Sequence, residues 1–443
     1  MEQWLARWAH NPKAGGSNPS PAIFNSFTST TWFLYVDFCS GRNEYISERA
    51  NRVVKIKKQP FANNFKKSFK EKEIKFHLSI GLENKNYLVS ISRNLNSKNI
   101  YNNKYPYLSS MSLTMKKSFQ ELSKKIKKKF KPKKIIEIGS NDGSFAKHFD
   151  YKKIICVEPC GNLAKITKKL GYETYNKFWD SKLIKIIKNR KIKIDLIYSA
   201  NTISHINNLN EVFKCITKIL DKSGVCIIED PSLLETIKKN IYDQFYNEHK
   251  YVFSLLAINN IVKKYNLEIF NVEKINNHGG SLRYYIKYKN NYKYKINKNV
   301  FTQIKRETEY GLKKLATYKK FADRVYESRI KLIKIFNYLK KNKKKIIGYG
   351  ATAKSATILN FCKINNKYID YFLDTTIHKI NKFTPGTNIL VKKYKKKLSL
   401  KDADYVFLGA WNFKKEIFLK EKEFIKEGGK FITHIPTPHI ISK

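Results

Sequence analysis

Short apolar runs alternate with amphipathic stretches through the middle of the chain. The apolar runs have the length of strands, and they fall at 135–138, 153–157, 193–198 and 224–229. The amphipathic stretches have helical spacing and cover 111–130, a segment from about Ser144, 161–169 and 208–220. Two further strands, at 267–275 and 281–287, are separated by a short loop. This alternation predicts a parallel sheet with helices on both faces, ending in an antiparallel pair.

A second series of the same kind begins near residue 345. Its strands are predicted at 345–350, 369–373, 404–408 and 430–434, and its helices start at Ala353 and at 414. Residues 300–340 have the spacing of one or two long amphipathic helices, which predicts a connector. The predicted fold class is α/β, with a central domain of the class I (Rossmann-like) methyltransferase type, a C-terminal Rossmann-like domain and a small N-terminal module.

The predicted domain boundaries follow these changes of pattern. Residues 1–30 cluster Gly, Asn, Pro and Ser without a sustained period, which indicates a disordered or spurious extension. The remaining boundaries are 31–110 for the N-terminal module, 111–295 for the central domain, 296–340 for the connector and 341–443 for the C-terminal domain.

Composition adds one strong signal, a formal net charge of +52 over 443 residues. Such a charge suggests a nucleic acid as partner. The excess is mostly Lys, spread along the chain together with many Ile, Asn and Tyr, and all of these residues have A/T-rich codons. We therefore favour a compositional bias over a dedicated polyanion surface. Either origin would attract an anionic substrate.

The expected localisation is based on the lack of a long apolar run and of a signal peptide, and on the distribution of the cysteines. No run of about 18 apolar residues appears, and the N-terminus has no basic-then-apolar signal peptide. The six cysteines are scattered, as is typical of reduced thiols. We expect a cytoplasmic protein without a membrane span; the sequence does not indicate its oligomeric state.

The segment EIGSNDGSF at 137–145 follows the first strand of the central domain. Gly139 permits a tight turn, and Gly143 lets the backbone approach a ligand at the start of a following helix. The pattern is E-x-G-x-N-x-G, with Asn141 in the middle, and not the G-x-G-x-x-G of a dinucleotide loop. Glu137 before the turn suits the amino group of S-adenosylmethionine (SAM) better than a diphosphate.

Two more positions support a SAM site. Glu158 ends the second strand, where a carboxylate accepts hydrogen bonds from both ribose hydroxyls. Asn201 follows the fourth strand, at the carboxyl edge where ligands bind in open α/β sheets. The loop, the acid and the order of the strands together favour a methyltransferase over an ordinary βα turn.

A second glycine loop, GYGATAK at 348–354, follows a strand and opens a helix. Gly348, Gly350 and Ala353 match the dinucleotide pattern, and Asp374 ends the next strand, near where an acid that binds ribose would lie. Three interpretations remain open: a site for NAD, a site for a nucleotide-bearing substrate, and a turn that only packs a helix against the sheet.

Several unusual segments now resemble the nucleotide-sugar C-methyltransferases. They are YPYLSS at 105–110, EIGSNDGSF, YNEH at 246–249, HGGSLRYY at 278–285, GYGATAK, FTPGT at 383–387, AWNF at 410–413 and GGKFI at 428–432. Their order and spacing are similar to those of the family over residues 55–443. The resemblance implies an N-terminal zinc module, a central SAM-binding domain and a C-terminal Rossmann-like domain.

The N-terminal module departs from the family in its cysteines. The family holds a structural zinc ion through four cysteines, whereas only Cys39 precedes residue 130 in this chain. One cysteine cannot build a tetrahedral site. We therefore expect a degenerate module without zinc over 31–110, and no metal site elsewhere.

The resemblance also implies a division of labour within YNEH. Methylating carbon beside a ketone requires a base and a donor for the enolate oxygen. His249 would be the base, Tyr246 the donor and Glu248 an acid that orients the imidazole or binds the sugar. His278 is a rival base. Further residues expected to bind substrate are Tyr107, Gly279, Gly348, Gly350, Lys354 and Arg283, the last of which could meet a diphosphate.

The function that follows is SAM-dependent methylation of a carbon next to the ketone of a keto-deoxysugar carried on a nucleoside diphosphate. One alternative is an RNA methyltransferase that uses the basic surface. It predicts basic residues clustered at the SAM cleft, and the chain lacks the Asn-Pro-Pro-Tyr type of motif after the fourth strand. The other alternative is an inactive paralogue or scaffold, which the missing cysteines suggest and the intact SAM motifs oppose.

Overall fold

The computed structural model describes residues 50–92, 95–396 and 399–442. The predicted extension at 1–30 and Cys39 therefore lie outside the described residues. Within the described ranges, no helix has the length and apolarity that a membrane crossing requires.

An antiparallel sheet opens the described chain. Its strands, in spatial order, are β1 Ala50–Pro60, β2 Lys75–Glu83, β3 Leu88–Ile91 and β9 Tyr251–Val252. The fourth strand comes from a segment about 160 residues further along the chain, where Val252 pairs with Val89. The sequence pattern left 31–110 ambiguous because β2 is buried at successive positions and so lacks a clear alternation of apolar and polar residues.

The central sheet has seven strands in the order β10-β11-β8-β7-β4-β5-β6. Its strands are β4 Ile135–Ile138, β5 Ile154–Val157, β6 Glu173–Tyr175, β7 Ile194–Ala200, β8 Leu220–Pro231, β10 Leu267–Ile275 and β11 Ser281–Tyr288. Only β11 runs antiparallel to its neighbours. The predicted parallel strands and the antiparallel pair are confirmed.

Helices cover both faces of this sheet. The helices of this part of the chain are α1 Ser97–Ile100, α2 Leu113–Lys129, α3 Gly161–Lys169, α4 Ser181–Asn189, α5 Leu209–Ile219, α6 Leu233–Lys238 and α7 Leu255–Lys263. The part of α2 that is buried packs on one face, and α4, α5 and α7 pack on the other. Adjacent positions on β4 serve opposite faces: Ile135 packs with Leu196 and Phe119, whereas Ile136 packs with Ile197. This alternation of buried side chains is why four apolar residues suffice for a central strand.

The helix predicted from Ser144 is wrong. Residues 146–148 form a single 3-10 turn, and Lys153 then donates to the Asp150 carbonyl at 2.9 Å before β5 begins. Phe145 and Phe149 are both buried on either side of this turn. Because the chain must return to the sheet within a few residues, no helix follows, and Gly143 does not precede a helix N-terminus.

The C-terminal part begins with two helices, α8 Lys298–Glu309 and α9 Leu315–Lys341. A six-stranded sheet follows, ordered β14-β13-β12-β15-β16-β17. Its elements are β12 Ile346–Tyr349, α10 Ala353–Cys362, β13 Tyr371–Asp374, β14 Leu390–Lys393, β15 Tyr405–Leu408, α11 Lys414–Lys420, α12 Lys422–Lys426, β16 Lys430–Thr433 and β17 His439–Ile441. The four predicted strands are confirmed, and β14 and β17 were not predicted.

One apolar core joins the N-terminal sheet to the C-terminal part. It contains Val54 and Ile80 from the first sheet, Phe321 from α9, Phe361 from α10 and Tyr242 from the segment that follows α6. The segment 242–249 is therefore held between the N-terminal sheet and the C-terminal part. YNEH lies where these two parts meet the central domain.

Candidate active site

A cavity opens at the carboxyl edge of the central sheet, where β4, β5 and β7 end. The N-terminal segment contributes Asn63, Tyr101, Tyr105 and Tyr107 to its lining. Residues 352–354, Lys379, Asn412 and Phe413 approach from the C-terminal domain. A ligand in this cavity would touch all three parts of the chain, and the edge is the one where open α/β sheets bind ligands.

The first glycine loop forms the floor beside β4. Gly139 has φ +73°, and a Cβ placed there would lie 2.2 Å from Thr202 Oγ1. Its amide donates to the Val157 carbonyl at 2.8 Å, which holds the loop against β5. Only glycine fits this position, so the loop remains close to the sheet and leaves space above it.

Two acids predicted to bind SAM line the cavity. Glu137 is buried, its Oε2 has no hydrogen-bond partner among the described residues, and burial raises its pKa well above the ordinary value. Glu158 accepts from the amides of Asn141 and Cys160, both at 2.8 Å, and burial raises its pKa as well. A buried carboxylate oxygen without a donor fits a ligand that brings an ammonium group.

Asn141 and Asn201, both at this edge of the sheet, differ in whether their side-chain amides are already hydrogen-bonded. Asn141 uses its side chain to accept from the Ser109 amide at 2.9 Å and to donate to the Tyr107 carbonyl at 3.2 Å. It therefore ties the tyrosine segment to the glycine loop, and a cofactor would meet its backbone. Asn201 has φ +50°, and its Oδ1 faces the cavity lining without a partner among the described residues.

Tyr246 and His249 form a hydrogen-bonded pair in the same cavity. The Tyr246 hydroxyl lies 2.9 Å from His249 Nε2, and the ring centroids are 4.2 Å apart. Burial, followed by the nearby His205 and Lys354, lowers the pKa of His249 well below its ordinary value. The imidazole is therefore neutral near pH 7, the state in which it can accept a proton.

Glu248 does not orient the imidazole. Its carboxylate accepts from Asn63 Nδ2 at 2.6 Å and from the Tyr105 hydroxyl at 2.7 Å, and no hydrogen bond joins it to His249 among the described contacts. The backbone turn at 246–249 points neighbouring side chains in different directions. Glu248 thus fastens the N-terminal segment over the cavity, and Tyr246 is the group that contacts the imidazole.

The rival base, His278, also faces the cavity. Its backbone is in the left-handed region, with φ 53°, and burial lowers its pKa to about 3. Gly279 is not part of the cavity lining. It faces the Trp411 ring instead, and a Cβ at this position would lie 2.8 Å from that ring. This glycine permits the loop to pack on Trp411.

Arg283 lies outside the cavity lining. Its Nε and Nη2 donate to Glu229 Oε2 at 3.0 and 2.8 Å, and its Nη1 is 3.6 Å from Glu273. The ion pair with Glu229 is buried within neighbouring strands of the central sheet. A guanidinium committed in this way is not available to a diphosphate, so the geometry does not support the role predicted for it.

The second glycine loop is closed by its own contacts. A Cβ at Gly348 would lie 2.4 Å from the Phe372 ring, and one at Gly350 would lie 2.5 Å from Ala410. Asp374 accepts from the Ala351 amide at 2.9 Å and lies 3.3 Å from Lys379 Nζ. Neither glycine lines the cavity, and the acid is already occupied, so these residues pack the sheet and do not form an NAD site.

Several lining residues were not predicted from the sequence. Tyr101 and His205 stack with centroids 5.8 Å apart, and His205 also lies 5.0 Å from the His249 ring. Burial lowers the pKa of His205 to about 4. The signal that could have found His205 is its place just after β7, at the carboxyl edge of the sheet. Tyr107 does line the cavity and is 40% exposed.

Asp230 gives this region a measurable pH dependence. Burial raises its pKa to about 8, and Ser204 Oγ donates to it at 2.6 Å. Between about pH 4 and pH 8 the folded chain retains a proton that the unfolded chain loses, so this group makes stability fall as pH rises. As pH rises through this range, the free energy of unfolding of Asp230→Asn should increase relative to that of the wild type. The increase should be at most roughly 1.4 kcal/mol per pH unit.

The measurement is chemical denaturation of both proteins at pH 5 and pH 8. Asp402→Asn serves as the matched control, because the Asp402 side chain is 78% exposed. A difference between Asp230→Asn and the wild type that does not change with pH would contradict the assignment.

Known families match both large parts of the chain. Residues 107–272 match the methyltransferase domain, and residues 276–436 match the C-methyltransferase C-terminal domain. C-methyltransferase NovU of Streptomyces niveus is 29% identical over 310 residues, which are 70% of this chain and 73% of that protein.

Solved methyltransferases are more distant. A SAM-dependent methyltransferase from Thermotoga maritima, described as a possible histamine N-methyltransferase, is 20% identical, with a TM-score of 0.30 over 39% of this chain and 88% of that one. Magnesium protoporphyrin IX methyltransferase of Synechocystis, with bound SAH, is 9% identical, with a TM-score of 0.32 over 40% of this chain and 84% of that one. Neither bears on the substrate.

The strand order, the glycine loop and the matched domain make the chain a class I SAM-dependent methyltransferase. Its C-terminal part matches the C-methyltransferase C-terminal domain over residues 276–436, and the chain is similar to C-methyltransferase NovU. Across residues 50–92, 95–396 and 399–442, no group of three or more His, Cys, Asp or Glu side chains could hold a metal ion. Residues 50–92, the described part of the N-terminal sheet, contain no cysteine and so do not provide the four-cysteine site that the resemblance implies.

Proposed function

We propose that this enzyme methylates a carbon next to the ketone of a nucleoside-diphosphate keto-deoxysugar through an enolate. The observation that carries the proposal is that the Tyr246–His249 pair shares one cavity with Glu137 and Glu158. A proton acceptor and an expected SAM site are thereby in contact with the same enclosed space. That is the requirement for carbon methylation, in which deprotonation and methyl transfer occur at one atom.

In this mechanism His249 accepts the proton from the carbon beside the ketone. Burial, which keeps the imidazole neutral, provides the acceptor form without help from a carboxylate. Tyr246 sets the direction of Nε2 through its hydroxyl. When bound, SAM supplies an electrophilic methyl group. Glu137 and Glu158 would hold it, and the aromatic walls would exclude water.

The lining also bears on the alternative substrates. Among the described residues that line the cavity, Lys354 and Lys379 are the only lysines, and none is an arginine. An RNA methyltransferase would need a row of cations at its cleft to neutralise phosphates. The other lysines and arginines of the described residues lie outside this lining, which is rich in aromatic side chains. A small keto sugar suits such a lining better than a polyanion.

We also propose that the enzyme works in the cytoplasm. The five described cysteines, Cys156, Cys160, Cys215, Cys226 and Cys362, are all unpaired and buried. Free thiols of this kind suit a reducing compartment.

The test is incubation of the purified full chain with SAM and a panel of nucleoside-diphosphate keto-sugars, followed by mass spectrometry. We expect one or more substrates to gain 14 mass units at carbon, as assigned by NMR. Matched sugars in which the ketone is reduced to an alcohol serve as controls and should give no product. Methylation of the alcohols, or of RNA in a parallel assay, would overturn the proposal. Absent SAM binding would favour the scaffold.

A further inference from the structure

Lys354 is a buried cation without a hydrogen-bond partner among the described residues. It is the second residue of α10 and is 7% exposed, and its Nζ has no acceptor there. The other lysine of the lining, Lys379, donates to the Ala351 carbonyl at 2.8 Å and pairs with Asp374. Burial lowers the pKa of Lys354, and the charge of the nearby Asp243 carboxylate raises it. Keeping an ammonium buried without a hydrogen-bond acceptor is costly, so its retention points to an anionic species that arrives during the reaction.

The neighbours of Lys354 are the groups of the proposed reaction. Its Nζ lies 5.2 Å from the centre of the Trp411 ring, against which the His278–Gly279 loop packs. Its charge contributes to lowering the pKa values of both His249 and His278. Ala353, the residue before Lys354, packs with Tyr246, so Lys354 belongs to the part of the lining beside the Tyr246–His249 pair.

The loop before Lys354 uses several of its backbone donors internally. The Ala351 amide donates to Asp374, and the Thr352 amide donates to the Gly350 carbonyl and to Ser355 Oγ. The Ser355 amide donates to Thr352 Oγ1 at 3.0 Å. These three donors are used inside the loop, so the backbone donors left at the cavity are the amides of Ala353 and Lys354 in the first turn of α10. One ammonium is sufficient for a single oxyanion.

The Tyr246 hydroxyl, the donor expected for the enolate, is already engaged. It lies 2.9 Å from His249 Nε2, and its ring packs with Ala62, Ala353 and Ala356. In the tautomer whose Nε2–H donates to the Tyr246 hydroxyl, Nδ1 has the free lone pair that accepts the proton, and the hydroxyl can give a forming oxyanion one hydrogen bond. An enolate oxygen has further lone pairs, which a buried ammonium can serve.

We propose that Lys354 is a catalytic residue whose ammonium stabilises the enolate oxygen during carbon methylation; this inference rests on the proposed function. The C–H bond beside the ketone breaks, and its proton moves to His249. The electron pair forms the C=C bond, and the carbonyl pair moves to the oxygen that faces Nζ. As the carbonyl re-forms, the carbon attacks the methyl group, and the S–CH3 pair stays on sulfur.

The test separates proton removal from methyl transfer. With the sugar that the wild type methylates, kcat and KM are measured for Lys354→Met, and exchange of the substrate C–H in D2O is followed by NMR with SAH in place of SAM. We expect kcat and the exchange rate to fall together by about 10²- to 10³-fold, as when an oxyanion donor is removed. KM should change by less than about threefold, since the charge it stabilises is absent from the ground state.

The matched control is Lys367→Met, which replaces an exposed lysine just beyond the same helix and should retain wild-type rates. Thermal melting confirms that Lys354→Met is folded; if it is not, Lys354→Gln provides the same comparison with a polar tip. A raised KM with unchanged kcat would overturn the inference, because Lys354 would then bind an anion of the substrate. Near-normal exchange would also overturn it. If the wild type methylates no keto-sugar, the proposed function fails first.

Discussion

His249→Ala is expected to lower kcat by about 10²- to 10⁴-fold, the usual contribution of a positioned base, while SAM binds with unchanged affinity. The imidazole lies in the cavity with Nε2 held by Tyr246, and its pKa is lowered by burial. A base with a lowered pKa stays deprotonated to lower pH. In the pH–rate profile of the wild type, the decline on the acid side should therefore have its midpoint below about pH 6.5. The change in kcat and the pH midpoint are both measured from steady-state rates between pH 5 and pH 8.

The comparison variants separate the two histidines and the tyrosine. His278→Ala should retain most of the activity if His249 is the base, and Tyr246→Phe should lose less than His249→Ala because the ring nitrogen remains. SAM affinity is measured by calorimetry in each variant. Near-normal turnover in His249→Ala, with loss in His278→Ala, would reverse the assignment of the base.

Asp243→Ala is expected to destabilise the fold by about 3 kcal/mol. The Asp243 carboxylate is fully buried and accepts from Trp411 Nε1 at 2.5 Å, and its Oδ2 lies 3.1 Å from His434 Nε2. Removing it leaves both ring nitrogens without this acceptor. Because the contact links the segment that carries Tyr246 and His249 to the C-terminal domain, kcat should fall as well. Chemical denaturation and steady-state rates measure the two effects.

The ionisation of Asp243 also makes its contacts with Trp411 and His434 depend on pH. Burial alone would raise the pKa of Asp243, but His434, Lys354 and the Trp411 hydrogen bond lower it below its ordinary value. A lowered pKa means that the stabilisation is present above about pH 4 and is lost as pH falls further. Asp323→Ala, at an exposed position of α9, is the control and should leave stability within about 0.5 kcal/mol. Equal losses in both variants would refute the role of Asp243.

Hydrophobic spacing predicted most strands of the two larger sheets, because those strands are short apolar runs, whereas β6, β14 and β17 were not predicted. The glycine loop at Gly139 was predictable for a similar local reason, since the E-x-G-x-N-x-G pattern directly follows a short apolar strand. The grouping of Tyr246 with His249 also spans only three positions. In each case the information lies within one short segment.

Partners that are distant in sequence were not predictable in this way. Glu248 and Tyr105 are 143 positions apart, and nothing near either residue indicates that they meet. Arg283 has the chemistry of a phosphate ligand, but its place on β11 opposite Glu229 decides its partner. The second glycine loop matches a dinucleotide pattern, yet Asp374 bonds to that loop's own backbone. The same side chains would serve a ligand in another tertiary setting.

The origin of β9 has a consequence for how the chain folds as it is synthesised. The edge of β3 finds its partner only when Tyr251 and Val252 have been made, after most of the central sheet. Until then the first three strands expose an unpaired edge, and such edges attract other chains. A fragment that ends before residue 250 should therefore aggregate, and the N-terminal sheet cannot be transplanted as an independent module.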